Sequence, residues 1–190
     1  MEIETKHRVH DLSKLKEALE KQGFRYEKTK RQIDRYYIPR AYDDRVETVW
    51  PILPDMVGNV RLRETDGKTQ SLDLKYIGVD VDESDARKIT EFEVAIADAG
   101  SLANATKILD LLGFAEICVI DKTREIWRFE EVEACLDSVA NLGDFIELEI
   151  MSDDKDLAAA RLVSLGAALG LSDSDKLKWG YNELLKGRKK

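Results

Sequence analysis

Paired charged side chains at alternate positions are the feature of this sequence best suited to chemistry. Residues i and i+2 of a β-strand point to the same face, so each pair would present two like charges side by side. The charged residues in this pattern are the acidic pairs Glu2–Glu4, Glu91–Glu93 and Glu147–Glu149, the basic pairs Arg61–Arg63 and Lys122–Arg124, and the single bases Lys6 and Lys75. Apolar residues alternate with them, which predicts strands with one apolar and one charged face.

The two kinds of pair favour different ligands. Carboxylate clusters bind hard divalent cations such as Mg²⁺ or Mn²⁺, whereas arginine and lysine bind phosphate, arginine through a bidentate fork. Any single pair is more typical of a solvated strand face with modest ion pairs. The recurrence on several strands instead favours a site for a metal-bound polyphosphate.

These faces can meet if the sheet curls into a barrel, with the charged side inside and helices over the apolar exterior. Buried like charges are costly, so such an interior is expected to hold a ligand. The element order, strand–helix–strands–helix–strands–helices, predicts an α+β fold with one large, mostly antiparallel sheet.

Turn and cap residues predict where the elements begin and end. A first helix is capped by Asp11 and stopped by Gly23, and a second is capped by Ser101 and stopped by Gly113. Asp66-Gly67 predicts a hairpin turn. Long loops are expected at 40–57 and in the acidic stretch VDVDESDAR, and the chain from about 153 to 187 is expected to be helical.

Composition narrows the class of protein. The 190 residues carry a net charge of −8 with 36% charged residues, which argues against nonspecific binding to nucleic acid or to an anionic membrane. No long apolar run indicates a transmembrane helix, and no signal peptide is visible. Two cysteines without a CxxC spacing indicate neither a disulfide framework nor a zinc site, so a cytoplasmic location is expected.

The ordered set of motifs resembles the CYTH superfamily, the triphosphate tunnel metalloenzymes. Its ExExK signature is matched by Glu2, Glu4 and Lys6, and the other matching segments follow in family order: QIDRYY, RLR, TEFEV, ILDLLGF, DKTREIW, LDSVANLGDFIELE and YNELL. The last two are most like the class IV adenylyl cyclase branch. The resemblance spans nearly the whole chain and implies a single domain over 1–190, an eight-stranded antiparallel β-barrel or tunnel with helices packed outside. The C-terminal helical segment, about 153–187, would pack on the tunnel or close it.

The same resemblance implies a site. Triphosphate would bind to Lys6, Arg61, Arg63, Lys75, Lys122 and Arg124. The Mg²⁺ or Mn²⁺ would bind to Glu2, Glu4, Glu91, Glu93, Glu147 and Glu149. Catalytic roles fall to Lys6, Asp137 and Tyr181. Trp179-Gly180-Tyr181 stands where the branch usually has Arg-Ser-Tyr, so a base that closes the tunnel end would have to be Lys176 or Lys178.

Three functions remain open at this point. A cyclase would convert ATP to cyclic AMP and pyrophosphate, and a triphosphatase would hydrolyse tripolyphosphate, thiamine triphosphate or a nucleoside triphosphate. A non-catalytic module would only bind nucleotide or polyphosphate, and three carboxylate pairs argue against it. The partner is therefore a nucleoside or inorganic triphosphate, and the family also allows a homodimer.

Several other residues receive structural predictions. His7 is expected on the outward face, Tyr36 and Tyr37 in the packed wall, and Cys118 and Cys135 as buried, inert thiols. Asp137 could instead only pin a turn.

Overall fold

The strands form one antiparallel sheet that closes on itself. The structure is a computed structural model that describes residues 1–42, 50–53, 56–78 and 87–187. The strands are β1 (Glu2–Val9), β2 (Arg25–Pro39), β3 (Trp50–Leu53), β4 (Met56–Thr65), β5 (Thr69–Gly78), β6 (Arg87–Ile96), β7 (Phe114–Phe129), β8 (Val132–Val139), β9 (Gly143–Met151) and β10 (Lys176–Leu177). The helices are α1 (Leu12–Lys21), α2 (Ala99–Leu111), α3 (Lys155–Ala168) and α4 (Tyr181–Leu185).

Eight of these strands make the barrel, in the order β1-β6-β5-β4-β2-β7-β8-β9. The ring closes where β9 pairs with β1 along its whole length, from Glu2 opposite Met151 to Val9 opposite Asp144. Two short strands lie off the ring, since β3 pairs with β4 and β10 pairs with β1. The predicted eight-stranded antiparallel barrel is confirmed.

Helix ends follow local hydrogen bonds, and one predicted cap is wrong. Asp11 caps α1 by accepting a hydrogen bond from the Lys14 amide at 3.0 Å, and Gly23 follows the helix with φ +93°. For α2 the cap is Asp98, whose side chain accepts a hydrogen bond from the amide of Ser101 at 2.7 Å. Ser101 therefore lies in the first turn of the helix and does not cap it.

Two other segments differ from the sequence prediction. The expected loop at 40–57 contains β3 and the start of β4, while 43–49 and 54–55 lie outside the described residues. In the acidic loop, 79–86 also lie outside them, and Arg87 already belongs to β6. The tail is only partly helical, because a short 3-10 turn (Asp173–Asp175) and β10 stand between α3 and α4.

The apolar outer face of the barrel is packed against helices on one side. Leu15 and Leu19 of α1 and Leu162 of α3 pack with Ile146 and Leu148 of β9 in one buried cluster. Burying each of these side chains contributes about 1.5–3 kcal/mol. On β6, in contrast, Phe92 and Val94 are exposed in the described structure. Helices cover the exterior only in part.

Candidate functional site

The inner face of the barrel gathers most of the predicted site residues around one cavity. Those that line it are Glu2, Lys6, Arg61, Arg63, Lys75, Glu91, Lys122, Arg124, Glu147, Glu149 and Tyr181. The alternation of each strand explains this convergence, because every second side chain of a closed sheet points inward. Glu4, Glu93 and Asp137 are not among the lining residues. Each of these three nevertheless contacts or lies close to a residue that lines the cavity.

Three fully buried aspartates each hold one arginine. Nε and Nη2 of the guanidinium both donate to the carboxyl group in the pairs Arg63–Asp34 (2.7 and 2.8 Å) and Arg124–Asp137 (2.6 and 2.6 Å). Asp73 Oδ2 accepts a hydrogen bond from Arg61 Nε at 2.8 Å and lies 2.6 Å from Arg61 Nη2. The three aspartates are at most 1% exposed. This grip fixes the plane of each guanidinium before any ligand arrives.

Sequence reasoning did not include Asp34 and Asp73 among the site residues. A signal was present, since Asp73 stands two residues before Lys75 on the same strand face, and Asp34 falls within the QIDRYY match. Burial alone would raise the pKa of Asp34, but the guanidiniums of Arg61 and Arg63 outweigh it and lower that pKa. The charged form of Asp34 is therefore the stable one.

Glutamates form the more crowded part of the network. Carboxylate oxygens of Glu4, Glu147 and Glu149 lie within 4.8 Å of one another, and so do those of Asp73, Glu91 and Glu93. Burial raises the pKa of Glu149 to about 8, and the neighbouring carboxylates add to this against the opposing effect of Arg124. Oxygen donors at this density suit a hard divalent cation, so the residues present fit Mg²⁺ or Mn²⁺.

Several bases meet these glutamates in the structure. Lys6 Nζ lies 2.8 Å from Glu147 Oε1, and Arg61 pairs with Glu91. Arg124 pairs with Glu147 as well as with its aspartate. Burial would lower the pKa of Lys75, but the carboxylates of Glu4, Glu2 and Glu91 reverse the shift and raise it. Acids and bases of the inner face thus neutralise each other across strands.

Tyr181 brings the C-terminal helix into this network. Its hydroxyl donates a hydrogen bond to Asp137 Oδ2 at 2.8 Å, and Lys122 Nζ lies 3.0 Å from the same oxygen. Lys6 Nζ lies 4.2 Å and Lys122 Nζ 5.1 Å from the centre of the Tyr181 ring. The three residues predicted to be catalytic, Lys6, Asp137 and Tyr181, therefore form one cluster.

Other sequence predictions have mixed outcomes. His7 alternates with the inward Lys6 and is therefore on the outward face, but it is buried, and it pairs in register with Lys176 of β10. Cys135 is buried and Cys118 partly so, and burial raises the pKa of both thiols, that of Cys118 to about 11. Neither Lys176 nor Lys178 is among the described residues that line the cavity; Gly180–Glu183 are.

Comparison with known proteins identifies the family. The CYTH domain model matches residues 1–181, so the chain belongs to the CYTH family. A protein of Methanocaldococcus jannaschii, provisionally named an adenylate cyclase, is 32% identical over 189 residues, covering 97% of this chain and 98% of its own. That name agrees with the class IV adenylyl cyclase branch.

Solved structures show the same fold. The PH1012 protein of Pyrococcus horikoshii superimposes with a TM-score of 0.77 at 24% identity, covering 97% of this chain and 99% of its own. A provisionally named adenylyl cyclase from Hippeastrum, described as having a dominant triphosphatase activity, gives a TM-score of 0.59 at 16% identity, covering 97% and 94%.

In the part of the chain that the structure describes, every helix is too short or too polar to cross a membrane.

Proposed function

We propose that this protein is a metal-dependent enzyme that binds a triphosphate inside the barrel and converts ATP to cyclic AMP and pyrophosphate. One observation carries the proposal: bases from β1, β4, β5 and β7 and carboxylates from β1, β6 and β9 line a single cavity. Phosphate binding alone would need only the bases. The carboxylates add a place for the cation that a polyphosphate brings with it.

The proposal assigns different roles to the arginine–aspartate pairs and to the pairs between bases and glutamates. The buried aspartates keep Arg61, Arg63 and Arg124 in fixed orientations, whereas Lys6, Arg61 and Arg124 also contact glutamates. A bound triphosphate would replace the glutamates as the partner of these basic side chains, while the arginine–aspartate pairs would stay intact. The fixed guanidiniums then face the phosphate oxygens with little reorganisation.

The released glutamates would hold the cation. Glu4, Glu147 and Glu149 would form one group of ligands, beside Glu2 in the same cavity, and Glu91 and Glu93 would form a second near Asp73. A divalent cation bound there would neutralise part of the polyphosphate charge and polarise the phosphate that is attacked.

The proposed reaction is an internal displacement. The ribose 3′-hydroxyl attacks the α-phosphorus, the bond from that phosphorus to the β-phosphate oxygen breaks, and pyrophosphate leaves as the hydroxyl proton is released. Negative charge grows on the departing oxygens, and the guanidiniums and Lys6 stabilise it through charged hydrogen bonds. Tyr181 and Asp137 hold Lys6 and Lys122 in position.

A triphosphatase is the second candidate. Charge clamps bind the whole chain of phosphates and do not select which phosphorus is attacked, so water at the terminal phosphorus would be served by the same residues. The activity described for the Hippeastrum protein of the same fold supports this candidate.

Product analysis tests the proposal. The full chain is incubated with ATP or with tripolyphosphate, with Mg²⁺, with Mn²⁺ and with a chelator. Cyclic AMP and pyrophosphate in equal amounts, formed only with a cation, are the expected result. Orthophosphate would identify a triphosphatase, and cation-dependent binding without turnover would identify a binding module.

A further inference from the structure

We infer that Asn59 reads the nucleobase of the substrate, by accepting a hydrogen bond from an exocyclic amine such as the 6-amino group of adenine. This inference rests on the proposed function, because it adds a base-recognition residue to the proposed triphosphate site.

The Asn59 side chain is a buried acceptor that the protein does not satisfy. It is 7% exposed, and its Oδ1 has no hydrogen-bond partner among the described residues. Asn59 also lines the charged cavity. A buried amide oxygen without a partner loses the hydrogen bond it makes with water in the unfolded chain. A donor on a ligand in this cavity would restore it.

Strand register places Asn59 just beyond the arginine pair. Arg63, Arg61 and Asn59 are successive inward residues of β4, and two residues of a strand span about 6.6 Å. Arg63 pairs in register with Asp34, and Arg61 with Tyr36, which packs in the same cluster as Tyr181. The direction from Arg63 to Asn59 therefore leads toward the α4 side of the cavity.

The cavity wall on the α4 side includes several uncharged residues. Its lining there adds the uncharged residues Tyr36, Gly58, Asn59, Gly180 and Asn182 to the charged Lys75, which is opposite Asn59 on β5, and Glu183 of α4. A Cβ atom at Gly180 would lie 2.5 Å from Asn182 Oδ1, so the Asn182 side chain would have to move. The uncharged part of this wall, with its aromatic ring and close backbone, suits the nucleoside part of a nucleotide, while the charged residues suit its phosphates.

The amide of asparagine matches the edge of adenine. Its oxygen accepts from the 6-amino group while its nitrogen donates to a ring nitrogen, the bidentate pairing that asparagine makes with this base. Inorganic tripolyphosphate and purine riboside 5′-triphosphate, which has hydrogen in place of the 6-amino group, would leave Oδ1 unsatisfied. Asn59 would thus favour an adenine nucleotide over both.

Equilibrium binding separates this role from phosphate binding. Dissociation constants are measured for ATP, purine riboside 5′-triphosphate and tripolyphosphate by calorimetry, with Ca²⁺ as the divalent cation to slow turnover. The full-length protein is compared with Asn59→Leu, which has a similar volume, and with Asn59→Ala, which introduces no larger group if leucine prevents folding. Gln32→Leu is the matched control, since Gln32 is another buried amide with an unpartnered oxygen but does not line this cavity.

We expect the native protein to prefer ATP over purine riboside 5′-triphosphate by about tenfold or more. Both Asn59 variants should reduce this preference to about twofold or less and change tripolyphosphate affinity less than about threefold, whereas Gln32→Leu should keep the preference. An unchanged preference in the Asn59 variants, or an equal loss for ATP and tripolyphosphate, would overturn the role of Asn59. If no triphosphate binds to the native protein, the proposed function fails first and the inference fails with it.

Discussion

The hydroxyl of Tyr181 donates a hydrogen bond of 2.8 Å to Asp137 Oδ2, joining two residues 44 positions apart. The same carboxyl group accepts hydrogen bonds from Lys122 and Arg124. Through this contact the short helix α4 is part of the buried charge network, so its position and the orientation of the phosphate-binding bases depend on each other.

Replacing Tyr181 with phenylalanine tests the strength of that contact. Tyr181→Phe should lower the free energy of unfolding by about 1–2 kcal/mol, because a buried carboxylate loses one of its donors while the ring stays beside Lys6. Urea unfolding measures the change. Tyr26→Phe is the control, since Tyr26 is 52% exposed and its hydroxyl hydrogen-bonds to Thr29. Equal changes in unfolding free energy for the two substitutions would mean that the Tyr181–Asp137 hydrogen bond does not contribute to stability.

The carboxylates assigned to the cation can be tested by neutral, isosteric changes. Glu4→Gln and Glu149→Gln should each abolish cation-dependent turnover while the circular dichroism spectrum stays native. Glu116→Gln, which removes a carboxylate paired with Arg35, should keep full turnover. Full turnover in both tunnel variants would contradict the assignment.

Arg63 is expected to contribute directly to triphosphate binding. A charged hydrogen bond is worth about 1.5–3 kcal/mol, so Arg63→Ala should weaken tripolyphosphate binding about tenfold or more in a calorimetric titration. The substitution should also reduce stability, because buried Asp34 loses its bidentate partner. Arg31→Ala serves as control, since Arg31 is exposed and pairs with Asp121. If both variants bind tripolyphosphate equally well, Arg63 lies outside the site.

His7 should make stability depend on pH. Burial, with the nearby charge of Lys176, lowers its pKa from 6.5 to about 4, against the opposing effect of Asp173 and Asp175. Between these values the unfolded chain binds the proton more readily, so stability is lost as pH falls from about 6.5 towards 4. From pH 7 to pH 5, the native protein should lose about 2 kcal/mol more unfolding free energy than His7→Gln. Equal losses of unfolding free energy for the native protein and His7→Gln, measured by urea unfolding at both pH values, would contradict this effect of His7.

The sequence predicts which face a side chain occupies better than it predicts its partner. A period of two identified the charged interior, because alternation alone decides the face. It could not show that Arg61 meets Asp73 on β5 and Glu91 on β6, since such pairs depend on strand order and register. Most of the predicted residues were therefore placed together, while the aspartates that orient the arginines were missed.

Local sequence signals gave a wrong prediction where the same residues are compatible with two structures. Asp98 and Ser101 both have side chains that cap helices, and only the backbone position distinguishes them. Pro51 and Pro54 made 40–57 look like a loop. Among the described strands, however, β3 pairs only with β4, and a strand with one neighbour tolerates proline.

Binding of tripolyphosphate with and without a divalent cation tests the central claim most directly. Calorimetric titration of the native protein should give saturable binding at one site per chain with Mg²⁺ or Mn²⁺, lost when a chelator is added. No measurable binding with either cation would contradict the account, because the converging acids and bases would then be only a network of internal ion pairs.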